Sequence, residues 1–253
     1  MIVRRFFCQI LLITTIALLH QSSNVHAALV SLNVNSAASS ITLSGEVGGA
    51  APGGGVPYAQ QTAGSLVTNW GGTIQADLTG GVFTFAPGGS SITAQINPNG
   101  PFTTAPNPIG TEAGNYGVTA TGPIQVAGGA VLTINGVYKD LVLDIISGTA
   151  QNGVALTGAT MNFSAGALDF GVSALAPSGT SSLVGINGLN TSASFVTWDG
   201  TTLTIPVTFQ TTGGSGRIEN WNGTIVAAVP EPSSIGIISI LGLVVTGYRA
   251  RRK

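Results

Sequence analysis

Short runs in which apolar and small polar residues alternate dominate the chain between positions 28 and 229. Examples are Leu29–Val34, Val82–Phe85, Val131–Ile134 and Thr202–Phe209, and they are rich in Val, Ile, Thr and Phe. A period of two places successive side chains on opposite faces of a β-strand, and β-branched residues favour strands. Apolar residues at helical spacing occur nowhere in this stretch without a glycine break. The pattern predicts an all-β domain over residues 28–229.

Dipeptides of Asn or Asp with Gly separate several of these runs and predict tight turns. Asn135-Gly136, Asp199-Gly200 and Asn222-Gly223 each have strand-like residues on both sides. Such pairs tolerate the positive φ values of a type I′ hairpin turn. Hairpin-linked strands favour an antiparallel β-sandwich. A right-handed β-helix is the alternative, because Gly148–Gly171 consists of short runs rich in Gly, Thr and Ala.

The first 27 residues have a different pattern. Arg4 and Arg5 precede an apolar run, Phe6–Leu19, and the segment ends in Val-His-Ala with Ala27 last. A positive start, an apolar stretch of this length and small residues before a cut are typical of a secretory signal helix. An uncleaved membrane anchor is the alternative, but the run is shorter than the roughly 20 apolar residues that span a bilayer. We expect cleavage between Ala27 and Ala28.

The last 24 residues, 230–253, combine a short motif, an apolar run and a basic end. A helix over Ile235–Tyr248 would be about 21 Å long at about 1.5 Å per residue, whereas a bilayer core is about 30 Å thick. The run is followed by four basic residues, which by the positive-inside rule hold that end in the cytoplasm. These are Arg249, Arg251, Arg252 and Lys253.

Together, Pro230-Glu231-Pro232, the Gly-containing apolar run and the basic cluster resemble the PEP-CTERM sorting domain of exported bacterial proteins. The resemblance implies that an exosortase-type membrane protease cleaves near the motif. It also implies transient anchoring in the membrane through the apolar helix, delivery to the cell surface or extracellular matrix, and association with exopolysaccharide. It implies nothing about the activity of residues 28–229.

Charge and composition exclude several kinds of chemistry from the β domain. His20, His26 and Cys8 all precede Ala28, so the processed chain has neither histidine nor cysteine. This excludes disulfides, Cys or His zinc sites and nucleophiles activated by histidine. Residues 28–229 carry eight acidic and two basic residues, a formal net charge of −6, which argues against nucleic-acid binding. We expect no cofactor, no metal site and no enzymatic activity.

A short repeat contains the tryptophans. The segment 69–74, which includes Trp70, recurs at 220–225 with Trp221, and Trp198 lies in a looser copy. One interpretation is a row of exposed indole platforms that stack on sugar rings. The favoured interpretation is structural, with each tryptophan packed at a strand end over a tight hairpin turn.

These observations leave three functional hypotheses. The first is a non-enzymatic structural protein of the cell surface or matrix. The second is a carbohydrate-binding module that uses the tryptophan segments. The third is a glycan-active enzyme based on carboxylates. Asp140 and Asp144 would share one strand face about 13 Å apart, farther than the roughly 5–10 Å of a catalytic pair. We therefore expect both to lie on a solvated face.

Overall fold

The computed structural model describes residues 28–105, 110–152, 159–173, 178–185, 187–189 and 196–230. These residues form β-strands and one turn of 3-10 helix at Gln125–Ala127, which confirms the all-β prediction. The strands are β1 Ala28–Val34, β2 Ser40–Val47, β3 Val56–Pro57, β4 Ala59–Gln60, β5 Val67–Thr79, β6 Val82–Thr84, β7 Ser90–Ala94, β8 Phe102–Thr103, β9 Thr111–Glu112, β10 Tyr116–Ile124, β11 Ala130–Ser147, β12 Thr149–Asn152, β13 Thr160–Val172, β14 Gly179–Ser182, β15 Asn187–Leu189, β16 Thr197–Trp198, β17 Thr202–Gly213 and β18 Arg217–Ala228.

The predicted signal helix over residues 1–27 lies outside the described residues, as does the C-terminal apolar helix. In the part of the chain that the structure does describe, no helix is long and apolar enough to cross a membrane.

Strand pairing is antiparallel almost throughout the described residues, with β12 and β16 as the parallel exception. Sixteen strands share one hydrogen-bonded network, and β8 and β9 form a separate pair. The last strand, β18, lies between β17 and β2. Strand β1 pairs with β5 over its whole length and with β18 at Asn33 and Val34. The first and last strands of the domain are therefore neighbours.

Side chains alternate between core and surface along the long strands, as a period of two requires. In β17 the buried positions are Leu203, Ile205, Val207 and Phe209, and the residues between them are partly exposed. Each fully buried side chain of this size contributes roughly 1.5–3 kcal/mol relative to an exposed one. The alternating sequence pattern of this strand thus fixes which face packs inward.

An aromatic cluster around Trp221 lies at the centre of the main core. Its ring lies 5.6 Å from that of Tyr116, 5.7 Å from Tyr138, 5.1 Å from Phe163 and 6.1 Å from Phe209, measured between ring centroids. Three of these contacts are edge-to-face, the arrangement that the quadrupoles of aromatic rings favour. These rings come from β10, β11, β13, β17 and β18, so the cluster joins distant parts of the chain.

A smaller apolar cluster adjoins the main core. It comprises Val47, Val56, Ala120, Ile124, Leu132 and Val172. Phe170 and Tyr58 pack against both clusters, so they lie where the two meet.

Two of the predicted hairpin turns are wrong. Asn135-Gly136 lies inside β11, and Asn222-Gly223 lies inside β18. Both are central strands at these positions, paired on two sides, so ladder hydrogen bonds override the local turn preference. The glycine at position 223 serves a different purpose. A Cβ there would lie 2.1 Å from the carbonyl oxygen of Ser40, so the neighbouring backbone requires glycine.

The predicted turn at Asp199-Gly200 is confirmed. Strands β16 and β17 pair antiparallel on either side of it. The Asp199 carboxylate accepts hydrogen bonds from the backbone N–H groups of Thr201 and Thr202, at 2.9 and 2.7 Å. These bonds lower the pKa of Asp199. Gly200 has a φ of 100°, which suits glycine.

Candidate functional site

A cavity of about 410 Å³ opens beside the smaller apolar cluster. Strands β2, β10, β11, β13 and β14, the 3-10 turn and the tip of the β17–β18 hairpin surround it. Its apolar lining includes Val118, Ile124, Leu132, Ile134, Leu168 and Phe170. Tyr58 and Arg217 add polar groups to these walls. This volume lies within the range of about 300–1,000 Å³ that is usual for small-molecule sites.

The β17–β18 hairpin tip reaches the cavity because it docks on the end of β2. The N–H of Gly48 donates to the carbonyl oxygen of Ser215 at 2.9 Å. Gly216 has a φ of 63°, and a Cβ on it would lie 1.9 Å from the carbonyl oxygen of Gly49. Only glycine permits this approach. The docked tip brings Arg217, the first residue of β18, to the cavity wall.

Arg217 is only 5% exposed although it carries a charge. Its guanidinium covers Gly213, where a Cβ would lie 2.3 Å from Nη2. The Nε atom forms an ion pair with the carboxylate of Glu219. Nη2, in contrast, has no aligned hydrogen-bond acceptor among the described residues. A buried N–H group without an acceptor is costly, and more so on a charged group.

Glu219 is fully buried and is held by a chain of hydrogen bonds. Its Oε1 accepts from the Tyr138 hydroxyl at 2.9 Å, and its Oε2 accepts from Thr211 Oγ1 at 2.7 Å. The hydroxyl of Tyr58 lies 3.3 Å from that of Tyr138. Because Tyr138 donates its only proton to Glu219, Tyr58 is the donor in the second contact.

Burial raises the pKa of the Tyr138 hydroxyl well above its usual value, and the nearby charge of Glu219 adds to the effect. Burial also raises the pKa of Tyr58, again with a contribution from Glu219. Both phenols therefore stay protonated at neutral pH. Arg217 and Tyr58 line the cavity, and their partners Glu219 and Tyr138 lie behind them. Thr180, Ser181 and Ser215 add neutral hydroxyl-bearing side chains to the lining, so this polar region carries no net charge.

Asp140 and Asp144, the two carboxylates considered as a catalytic pair, do not line the cavity. Asp144 is buried, and its two oxygens accept from the backbone N–H groups of Gly88 and Ser90 at 2.6 and 2.9 Å. Asp140 is exposed. The expectation that both lie on a solvated face is therefore wrong for Asp144. An irregularity between Lys139 and Val142 breaks the period of two between these positions.

A second charged cluster lies on β9, β11 and β13. Lys139 forms ion pairs with Asp169 and with Glu112, and the latter N–O distance is 3.0 Å. Thr180 donates to the other oxygen of Asp169 at 2.6 Å. Burial alone would raise the pKa of Asp169, but the bonds from Lys139 and Thr180 outweigh it, and the pKa is lowered. Hydrogen bonds to Asp169 and Glu112 raise the pKa of Lys139.

The three tryptophans are core residues. Trp70 and Trp221 are fully buried, and Trp198 is 5% exposed and packs edge-to-face on Phe83. The hypothesis of exposed sugar platforms on Trp70, Trp198 and Trp221 is therefore wrong, since none of the rings presents a free face. Their packing agrees with the structural interpretation of the repeat, although the hairpin turns expected with Trp70 and Trp221 are not formed.

The sorting residues can be placed only in part. Pro230 is exposed directly after β18, and Ala28 begins β1. Ala27, Glu231, Pro232 and the basic end Arg249, Arg251, Arg252 and Lys253 lie outside the described residues. Across the described ranges there is no group of three acidic, histidine or cysteine side chains that could hold a metal ion.

Arg217 as a cavity residue and Glu219 as its buried partner were not predicted from the sequence. A signal for them was present: positions 217, 219 and 221 are spaced two apart, so in a strand they share a face with Trp221. A charged pair on the face of a core tryptophan indicates buried charge.

Comparisons of the chain with protein-family models, with curated proteins and with solved structures found no match.

Proposed function

We propose that the protein is an exported structural component of the cell surface or extracellular matrix, sorted by its C-terminal segment. The observation that carries the proposal is the continuity between the last strand and the sorting motif. Strand β18 ends at Ala228, and the exposed Val229 and Pro230 follow without a linker. Proline disfavours a helical conformation in the residue before it, so from the sequence we expect the Pro-Glu-Pro segment to be extended and accessible to a membrane protease.

In this proposal residues 1–27 are a cleaved signal peptide, and residues 28–229 form a non-enzymatic β domain. Residues 230–253 anchor the chain in the membrane until an exosortase-type protease acts. Exopolysaccharide is the proposed matrix partner. Burial of the three tryptophans removes the basis for the alternative of a carbohydrate-binding module that uses them.

We also infer that the strands pack as an antiparallel β-sandwich. Support comes from the antiparallel pairing of the long strands β11, β13, β17 and β18. A right-handed β-helix is instead built from short parallel strands that repeat at a fixed period. The aromatic cluster around Trp221 supports two packed layers, because rings from the β10–β11–β13 ladder pack on rings from the β17–β18 ladder.

Sorting is tested in the native host with Glu231→Ala in the full chain. We expect the variant to remain in the membrane fraction with its basic end uncut, while the parent is found at the surface or in the medium without it. Ser233→Ala is the matched control, and its processing should equal that of the parent. Intact-mass measurement of the released protein reports both cleavage sites, and we expect it to begin at Ala28.

A fusion protein provides a second test of the sorting proposal. Residues 230–253 joined to an unrelated exported domain should reproduce the sorting of the parent. If this fusion behaves like a fusion to a plain membrane span, the sorting proposal fails.

A further inference from the structure

We propose that the 410 Å³ cavity binds a small neutral amphiphile, with its apolar body against the cavity walls and a carbonyl or hydroxyl oxygen accepting a hydrogen bond from Arg217. The ligand class is a medium-chain ketone, ester or alcohol. This inference concerns the β domain alone and does not depend on the sorting proposal.

The apolar body is indicated by the walls. Ile124, Leu132 and Val172 belong to the smaller apolar cluster and also face the cavity, as do Leu168 and Phe170. Val126 lies on the 3-10 turn at the rim and is 51% exposed. Burial of apolar ligand surface against such walls contributes roughly 25 cal/mol per Å².

The hydrogen-bond acceptor is indicated by Arg217. This side chain is 95% buried, it lines the cavity, and its Nη2 lacks an aligned acceptor among the described residues. The guanidinium is held in place by contact with Gly213 and by the ion pair with Glu219, so its donors are pre-positioned. A buried donor gains more from a ligand acceptor than an exposed donor does, because no water molecule competes for the hydrogen bond.

The neutral head group follows from the charge balance. Glu219 already compensates Arg217, and the two hydroxyls beside it, on Tyr58 and Tyr138, stay protonated. Lys139, the other basic residue of the domain, is committed to Glu112 and Asp169. A ligand carboxylate would therefore add an uncompensated negative charge near Glu219 in apolar surroundings, which is strongly unfavourable.

Calorimetric titration of the purified full chain without detergent tests the proposal. The probes are octan-2-one, which offers a neutral acceptor, and octanoate at pH 7, which has the same chain length and a charge. We expect saturable binding of octan-2-one at a one-to-one ratio and at least about tenfold weaker binding of octanoate, since a tenfold change corresponds to about 1.4 kcal/mol. Equal or tighter binding of octanoate would overturn the neutral head group.

Ala127→Trp places a large ring in the mouth of the cavity from the 3-10 turn, outside the main core. We expect this variant to lose saturable octan-2-one binding. Ala86→Trp, at an exposed turn away from the cavity, is the matched control and should bind as the parent does. Unchanged binding by Ala127→Trp would overturn the site, because binding would then occur elsewhere, for example on the apolar ends of the chain.

The role of Arg217 is tested without leaving a lone buried charge. The double variant Arg217→Met/Glu219→Gln removes both members of the ion pair and is compared with the parent. We expect the double variant to bind octan-2-one about tenfold more weakly than the parent, as loss of a hydrogen bond to a charged donor predicts. Equal affinity would overturn the hydrogen bond. If the double variant does not fold, the comparison of Ala127→Trp with Ala86→Trp still decides whether the cavity is the site.

Discussion

The indole N–H of Trp221 donates a hydrogen bond to Oγ1 of Thr211 at 2.9 Å, across the β17–β18 ladder. The same hydroxyl donates its own proton to Glu219 Oε2 at 2.7 Å. One small side chain thus satisfies the core tryptophan and the buried carboxylate together. The aromatic cluster and the polar wall of the cavity are therefore coupled through Thr211.

Thr211→Val should destabilise the protein although it preserves the shape of the side chain. The substitution leaves the Trp221 N–H without its acceptor and one oxygen of Glu219 without its donor. Each unsatisfied buried group costs roughly 1–3 kcal/mol. Urea unfolding measures the effect. Thr212→Val, at the exposed neighbouring position, is the control and should change the free energy of unfolding by less than about 0.5 kcal/mol. Equal effects would contradict the coupling.

Gly223→Ala should destabilise the protein by about 1–3 kcal/mol, the usual cost of overpacking. The reason is the close approach of Ser40, whose carbonyl oxygen lies 2.1 Å from the position of the added Cβ. Thermal unfolding checks this. Gly110→Ala is the matched control, because a Cβ there has no neighbour within 4 Å. A Gly223→Ala variant that melts like the parent would show that the β18–β2 ladder can shift to admit a side chain.

Asp144→Ala should cost more than Asp140→Ala. Asp144 accepts two backbone hydrogen bonds from the turn that precedes β7, and its removal leaves the buried N–H of Ser90 without an acceptor. We expect a loss of about 1–3 kcal/mol for Asp144→Ala. Asp140 is exposed, so its replacement should change the free energy of unfolding much less. Chemical denaturation of both variants gives the comparison. A reversed order would contradict the assignment of the two carboxylates.

The Lys139–Asp169 pair should stabilise the protein only in a defined pH window. The lowered pKa of Asp169 means that its contribution is complete above the ordinary value of 3.8 and is lost as the pH falls through the folded-state pKa. The raised pKa of Lys139 means that its contribution is complete below the ordinary value of 10.5 and is lost as the pH rises through the folded-state pKa.

The difference in unfolding free energy between the parent and Lys139→Met measures this window. Because the pair is partly exposed, we expect a difference of about 0.2–1 kcal/mol on the plateau between the two ordinary values, smaller in strong acid and strong base. A difference that is as large in strong acid and strong base as on the plateau between them would contradict it.

The alternating pattern of Thr202–Phe209 was sufficient to predict a strand, because burial on one side imposes a period of two on the sequence. The turns were less predictable. Asp199-Gly200 forms its own turn through local hydrogen bonds of the Asp199 side chain, so the local sequence carried the information. Asn222-Gly223 has the same local preference, but partners on both sides hold it in β18, and no local signal indicates those partners.

The cavity could not be predicted from the sequence because its parts are far apart along the chain. Gly48 and Ser215 are joined by a backbone hydrogen bond. The residue types around either position do not indicate that the two segments are partners. The irregularity after Lys139 moved Asp144 from the expected solvated face into the core for a similar reason. A break in strand period depends on the neighbouring strands, which a single sequence does not reveal.

The pairing of β18 with β17, β2 and the end of β1 gives the protein a particular order of assembly. During synthesis, β1 and β2 emerge first, yet the strand that pairs with both is the last of the described strands to be made. Strand β1 has β5 as an earlier partner along its whole length, but the edge of β2 that β18 covers stays open until β18 is made. An open strand edge can pair with other chains, a known aggregation hazard. Closing the edge of β2 thus depends on the strand that ends next to Pro230.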